Sequence, residues 1–115
     1  MTGGKKFDQG KPMISLIPVE TLLGEAAVFG DGILKYGKHN FRQGLDHTRP
    51  LDAAVRHILA ILNCEDLDPE SGRPHVYHAR ASLAIYDWQR LHHPNLDDRF
   101  KNELARSFDI AKKIG

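Results

Sequence analysis

Between Arg56 and His78 the chain reads RHILAILNCEDLDPESGRPHVYH, which gathers His57, His75 and His78 with Glu65, Asp66, Asp68 and Glu70. Imidazole nitrogens and carboxylate oxygens are the side-chain atoms that hold Mg²⁺ or Mn²⁺ against a phosphate, and crowding them into a small domain costs stability unless the charge is neutralised. The pattern points to a metal-dependent enzyme. A lone His57 on an apolar helix would ordinarily be a hydrogen-bonded core residue, and an acidic turn by itself a solvated loop. The weight comes from the trio: His75 and His78 stand three residues apart, the spacing that brings two side chains onto one helical face. The acidic turn is no calcium loop, because Pro69 and the missing glycine at the sixth position break that pattern.

These groups need helices to position them. After Pro18, the positions Val19, Leu22, Leu23, Ala26, Ile33 and Leu34 recur at three and four residues and predict a helix that stops at Gly37. A polar connector covers residues 38–50. A second helix is expected from Leu51 or Asp52 to about Asn63, with Leu51, Val55, Ile58, Leu59 and Leu62 as its apolar stripe. A third runs from about His75 to His92, bounded by Pro74 and Pro94, and carries Ile85, Tyr86 and Trp88 as core residues. A fourth, capped by Asn95 or Asp97, carries Phe100, Leu104, Phe108 and Ala111. No segment alternates as a strand does, so the fold expected is an all-α bundle of four helices in a single domain, residues 1–115, with a flexible arm at residues 1–13.

If the second and third helices form an antiparallel hairpin turning near residue 66 or 67, His57 lies level with His75 and His78. Ala53, Ala54 and Ala60 let the partner helix approach closely. Glu65 follows His57 by eight residues, about 12 Å along a rigid helix. Two subsites are therefore expected, an imidazole-rich one in the hairpin and a carboxylate one at Glu65, Asp68 and Glu70. Asp52 and Arg56, at i and i+4, are expected to form a salt bridge. His39, His47, His92 and His93 fall in loops or at helix ends and read as surface groups. Lys35, Asn40 and Arg42 have the chemistry to hold phosphate oxygens or a base edge, and Lys6 and Lys11 sit on the arm, where a lysine can close over a polyphosphate.

Sixteen basic against fifteen acidic side chains leave a formal charge of +1, which removes the long-range field that non-specific nucleic-acid binding needs. Cys64 is the one cysteine and cannot form an internal disulfide, no apolar run is long enough for a membrane span, and the first residues lack the apolar core of a secretion signal. A cytoplasmic protein is expected, with no membrane and no nucleic-acid partner.

The strings KFDQGKP, LIPVE, KYGKHNFR, DAAVRHILA and EDLDPESGRPHVYHA, in this order from the arm to about residue 90, resemble the phage family of dATP/dGTP diphosphohydrolases. That family is similar to the all-α MazG-like nucleoside triphosphate pyrophosphohydrolases, and the MazZ proteins of phages with 2-aminoadenine DNA are functional analogues. The resemblance implies an oligomeric four-helix enzyme, a dimer or tetramer, in the host cytoplasm. It would cut a purine deoxynucleoside triphosphate between the α and β phosphates with Mg²⁺ or Mn²⁺, dGTP being the first choice and dATP or GTP the others, in phage nucleotide-pool remodelling. Under it, His57, Glu65, Asp68, His75 and His78 are the expected metal ligands, and Glu65, Glu70 and His78 the expected catalytic groups. Lys11, Ile14, Lys35, Asn40, Arg42 and Arg56 are the expected substrate contacts, Ile14 through the backbone of MISLIP. Where MazG-like enzymes carry Glu-x-x-Glu and Glu-x-x-Asp, this chain has Ala54 with His57 and His75 with His78. The family pattern that the resemblance implies tends to have tryptophan at Phe41, glycine at Cys64 and asparagine at Ser82, three positions where this chain departs from it.

Two other readings fit parts of the pattern. A histidine-aspartate phosphohydrolase also clusters imidazoles and acids but releases intact tripolyphosphate, and no His-Asp dipeptide occurs here. A non-enzymatic helical interaction module would carry the acidic turn as a solvated surface.

Overall fold

The computed structural model of the chain describes residues 9–101, and within them the architecture is all-α, with three α-helices and no strand. The 3₁₀ helix Ile14–Leu16 leads into α1, Val19–Tyr36. Pro18 sets the entry to α1, where the Thr21 hydroxyl donates to its carbonyl at 2.8 Å. Gly37 ends it at a φ of 85°, its N–H donating to the Ile33 carbonyl at 3.0 Å.

Helix α2, Thr48–Leu62, starts earlier than its apolar pattern predicts. The reason is a cap supplied from far along the chain: Asp98 accepts from the Thr48 N–H at 2.9 Å and from the Thr48 hydroxyl at 2.6 Å. A carboxylate at a helix amino terminus satisfies donors that the helix itself leaves open, and Pro50 in the first turn has no N–H to satisfy. The Thr48 hydroxyl and then its amide hold the Asp98 carboxyl below its ordinary 3.8. A carboxyl depressed by folding contributes stability that is complete above the unfolded value and is lost as pH falls through the folded one. Hydrogen exchange at the Thr48 amide is therefore expected to accelerate only as pH drops below about 3.8, after correction for intrinsic rates, and Asp98→Asn should shift that dependence.

At its other end α2 stops at Leu62 because the chain reverses sharply. Cys64 sits in the left-handed region, φ 64°, its N–H donating to the Ile61 carbonyl at 2.9 Å while the Glu65 N–H returns to Ala60 at 2.9 Å. That position suits glycine. Cys64→Gly is expected to raise unfolding stability by about 0.5–1 kcal/mol, the strain relieved outweighing the added chain entropy, as read by chemical denaturation.

The turn then folds on itself. The Asp68 N–H donates to the Arg73 carbonyl at 2.8 Å, the Gly72 N–H to the Asp68 carbonyl at 2.7 Å, and the His75 N–H to the Asp66 carbonyl at 2.8 Å. Helix α3, His75–His92, follows Pro74 with no side-chain cap. It runs antiparallel to α2, since His57 meets His75 at one end while His47 meets Tyr86 near the other. Ala54, Ala79 and Ala81 are buried where the helices approach, as small residues permit. Helix α1 lies on α3, with Gly24 against the Tyr77 ring, where any added Cβ would overlap it. Bidentate Arg73–Asp31 contacts of 2.8 and 3.0 Å and the Arg80–Glu25 pair at 3.3 Å tie α1 to the rest.

Several expectations change. The fourth helix does not begin at Asn95 or Asp97: Pro94–Leu96 is a 3₁₀ helix, Asp97 is extended, and Phe100 is exposed outside any helix. Leu104, Phe108 and Ala111 lie outside the described residues, as does most of the expected arm. The α2 stripe is not core, since Val55, Ile58, Leu59 and Leu62 remain 43–74% exposed among the described residues. His47, expected at the surface, is buried with 1% exposure; its Nε2 donates to the His93 carbonyl at 2.9 Å and its N–H to Leu96 at 3.1 Å.

Candidate functional site

The predicted convergence of His57 with His75 and His78 is present. The His57 and His75 Nδ1 atoms are 2.8 Å apart, and the His57 and His78 rings stack at 4.6 Å between centroids and 10° between planes. Two acids of the turn back these rings. Glu65 Oε1 lies 2.7 Å from His75 Nε2, and Asp68 Oδ2 lies 3.4 Å from His78 Nε2. The two subsites expected from the sequence are thus one cluster. The rigid-helix distance between His57 and Glu65 does not apply, because the left-handed Cys64 turns the chain back toward Ala60 before Glu65.

Ser71 completes the second arm of this cluster. Its oxygen accepts the Arg73 N–H at 3.1 Å, lies 2.7 Å from His78 Nε2 and donates to Asp68 Oδ2 at 3.0 Å. With its one proton committed to Asp68, the hydroxyl accepts from His78 Nε2–H. Burial acts to raise the Asp68 carboxyl, but the Ser71 hydroxyl, the Glu70 amide and then His78 and His57 outweigh it and hold it below the usual carboxylate range. His57 is held below its ordinary value, first by burial and then by repulsion from His78 and His75. The donor set has the chemistry of a divalent-ion site, yet its atoms are turned on one another. Among the described residues no group of three or more His, Cys, Asp or Glu is arranged to hold a metal ion. In this arrangement the five expected ligands do not fit a resident ion.

One helical turn away along both α2 and α3 lies a cavity of about 840 Å³, a size suited to a nucleotide-scale ligand. Arg49, Ala53 and Arg56 of α2 form one wall, spaced at four and three residues so that they share a face. Ala81, Ser82, Ile85 and Trp88 of α3 form another, and Phe29, Ile33 and Tyr36 of α1 a third. The segment 37–43, which ends in the 3₁₀ helix Asn40–Gln43, closes it with Lys38, His39, Asn40, Phe41 and Arg42. Four cations line this space and no carboxylate does. Aromatic rings meet there: Phe41 contacts Phe29 at 5.6 Å and Trp88 edge-on at 6.1 Å, and the Arg42 guanidinium lies 4.2 Å from the Trp88 centroid. Arg42 is held there by donating from Nε to His39 Nδ1 at 2.9 Å.

The residues singled out from the sequence separate into three sets. Asn40, Arg42 and Arg56 line the cavity, as does Ser82. His57, Glu65, Asp68, His75 and His78 form the cluster beside it. Lys35 and Glu70 belong to neither: they pair at 3.2 Å on the exposed surface, so Glu70 is not brought to the imidazoles. Lys11 and Ile14 are exposed in the segment before α1 and do not line the cavity. The Asp52–Arg56 bridge is absent among the described ion pairs, leaving Arg56 to face the cavity.

Arg49 is not marked by the sequence, because a helix expected to start at Leu51 hides its seven-residue spacing from Arg56. Trp88 and Ile85, expected in the core, both line the cavity and are only partly buried. No sequence pattern marks Gln89. Completely buried, it donates to the Phe41 carbonyl at 2.8 Å and accepts from the Leu45 N–H at 3.0 Å, which fixes the segment closing the cavity. His93 Nε2 adds a bond to the Arg42 carbonyl at 3.0 Å.

A family model described as "dATP/dGTP diphosphohydrolase, N-terminal" matches residues 1–99. A protein of Salmonella phage PMBT28 named dATP/dGTP diphosphohydrolase is 42% identical over 96 residues, which is 84% of this chain and 33% of that protein. The chain thus spans about a third of that relative's length. No solved structure matches.

Proposed function

Because this chain belongs to the dATP/dGTP diphosphohydrolase N-terminal family, we propose that it hydrolyses a purine deoxynucleoside triphosphate, dGTP foremost and dATP or GTP next, between the α and β phosphates. The products are the monophosphate and pyrophosphate. The observation that carries this reading is the cavity: four basic side chains, no acidic one, a wall of aromatic rings, and imidazoles one turn away. A triphosphate supplies the negative charge that Lys38, Arg49 and Arg56 would otherwise repel from one another, and guanidinium groups hold phosphate oxygens in fixed geometry. A purine offers a flat face to Phe41, Phe29 and Tyr36, with Asn40 and Ser82 as polar groups for its edge.

Mg²⁺ or Mn²⁺ enters in this reading as the triphosphate complex, part of the substrate. The cation neutralises charge on the departing pyrophosphate, while the chain's own residues position the nucleotide and handle the proton of the attacking water. The exposed α2 face formed by Val55, Leu59 and Leu62 supports self-association as a dimer or tetramer, which sedimentation equilibrium would read directly. Deoxynucleotide substrates suit work in the host cytoplasm, in remodelling of the nucleotide pool for phage DNA such as that containing 2-aminoadenine.

A panel of the eight common ribo- and deoxynucleoside triphosphates, each with Mg²⁺ or Mn²⁺ and resolved by anion-exchange chromatography, tests the proposal. Purine deoxynucleotides are expected to give monophosphate and pyrophosphate fastest. Release of tripolyphosphate would assign a triphosphohydrolase instead, and no turnover of any member would remove the enzymatic reading.

A further inference from the structure

Of the four cations lining the cavity, Arg42 is held differently from the rest. Its guanidinium lies over two aromatic rings, 4.2 Å from the Trp88 centroid and 5.0 Å from that of Phe41, whereas Lys38, Arg49 and Arg56 lie over no ring among the described residues. Its Nε donates to His39 Nδ1 at 2.9 Å, and its carbonyl accepts from His93 Nε2 at 3.0 Å. Gln89, completely buried, holds the preceding carbonyl of Phe41 at 2.8 Å. Backbone, Nε and ring face are each fixed, which sets the plane of the group. Its two terminal nitrogens bond to none of the described residues, so a pair of parallel donors remains unpaired at the cavity.

What such a fork recognises follows from its atoms. A guanidinium has donors and no acceptor, and two parallel N–H groups match two acceptors lying side by side in one plane. Guanine presents that pair at O6 and N7, whereas adenine presents N7 beside an N6 amino group, itself a donor. A phosphate would engage the same donors but has no flat face for the Trp88 and Phe41 rings beneath them, and Arg49 and Arg56 on the α2 wall are free to take it. Asn40, two residues away, carries both a donor and an acceptor and suits either purine. Arg42 is the group on this wall that can tell them apart.

We infer that Arg42 is a specificity-determining residue, whose terminal N–H pair donates to O6 and N7 of guanine and meets a donor instead of an acceptor when adenine takes the same place. The inference rests on the proposed binding of a purine nucleotide in the cavity. It goes beyond that reading by assigning the edge of the base that is read and the side chain that reads it. A contact of this kind requires N7 and ignores the 2-amino group on the opposite edge of guanine.

The test is equilibrium binding to the full chain by calorimetry, with the α,β-methylene analogues of dGTP and dATP as probes because they cannot be cut at the proposed bond. The unsubstituted chain is expected to prefer the guanine probe. Arg42→Lys keeps the charge and loses the planar fork, and Arg42→Gln offers one donor and one acceptor, the pair that suits adenine. Each should lower the guanine-to-adenine preference by about 5–150-fold with helicity by circular dichroism unchanged, Arg42→Gln moving furthest toward adenine. Base analogues read the edge directly in the unsubstituted chain. Against the guanine probe, dITP keeps O6 and N7 without the 2-amino group and should compete as dGTP does, whereas 7-deaza-dGTP, which lacks N7, should compete about 10-fold less well. Equal losses for both probes in the variants would make Arg42 a phosphate contact and overturn the inference. So would failure of dITP where 7-deaza-dGTP succeeds, or binding of neither probe. Guanine-selective binding without cleavage of dGTP would refute the proposed hydrolysis and leave the reading of the base in place.

Discussion

Replacing Arg49 and Arg56 together by alanine is expected to weaken dGTP binding by about 10²–10⁴-fold, since each charged hydrogen bond to phosphate is worth about 1.5–3 kcal/mol. Both guanidinium groups are exposed on one face of α2 and line the cavity, and neither has a carboxylate partner among the described ion pairs. Their removal therefore takes away ligand contacts and little else, so circular dichroism should be unchanged while calorimetric titration with dGTP loses its signal. Arg90, which pairs with Asp87 away from the cavity at 2.7 Å, supplies the control. Arg90→Ala should bind as the unsubstituted chain does. Equal affinity in the double variant would mean that the phosphates lie elsewhere.

Gln89→Leu is expected to cost about 2–4 kcal/mol of stability, although leucine nearly matches glutamine in size. The side chain is completely buried and serves both the Phe41 carbonyl and the Leu45 N–H, so an apolar replacement strands two backbone groups away from water. The consequence reaches the site. Phe41 and Arg42 ride on the segment that Gln89 holds, and their stack against Trp88 closes the cavity. Chemical denaturation should register the stability loss, and dGTP affinity should fall even well below the unfolding midpoint. Gln89→Glu keeps an acceptor for Leu45 but sets a buried carboxyl against the Phe41 carbonyl, so at neutral pH it should destabilise the chain at least as much, with partial recovery in acid as the carboxyl takes up a proton and donates to Phe41.

Helix-breaking residues made much of this fold legible from sequence. Pro18 and Gly37 bound α1, and Pro74 with the His93-Pro94 pair bounds α3, where backbone restrictions act locally and need no tertiary information. The start of α2 was not legible, because its cap is Asp98, fifty residues from Thr48. His47 read as a surface group for the same reason: the segment that buries it, residues 93–98, returns from the far end of α3.

In the site, the meeting of His57 with His75 and His78 followed from counting residues around an antiparallel turn. The partner of each acid did not. Glu65 reaches His75 only because Cys64 takes a left-handed conformation, which the preference of non-glycine residues argues against. The cavity was hidden differently. Its aromatic wall has the composition of a core, and only the placement of Arg42, Arg49 and Arg56 around it distinguishes a binding space from an interior.

Hydrolysis of dGTP in ¹⁸O-water, with the products followed by ³¹P nuclear magnetic resonance, tests most directly the proposed cleavage between the α and β phosphates. Attack at the α phosphorus gives dGMP carrying the label and unlabelled pyrophosphate, and that is the expected result. Label in the pyrophosphate, tripolyphosphate as the product, or dGTP left intact would each contradict it.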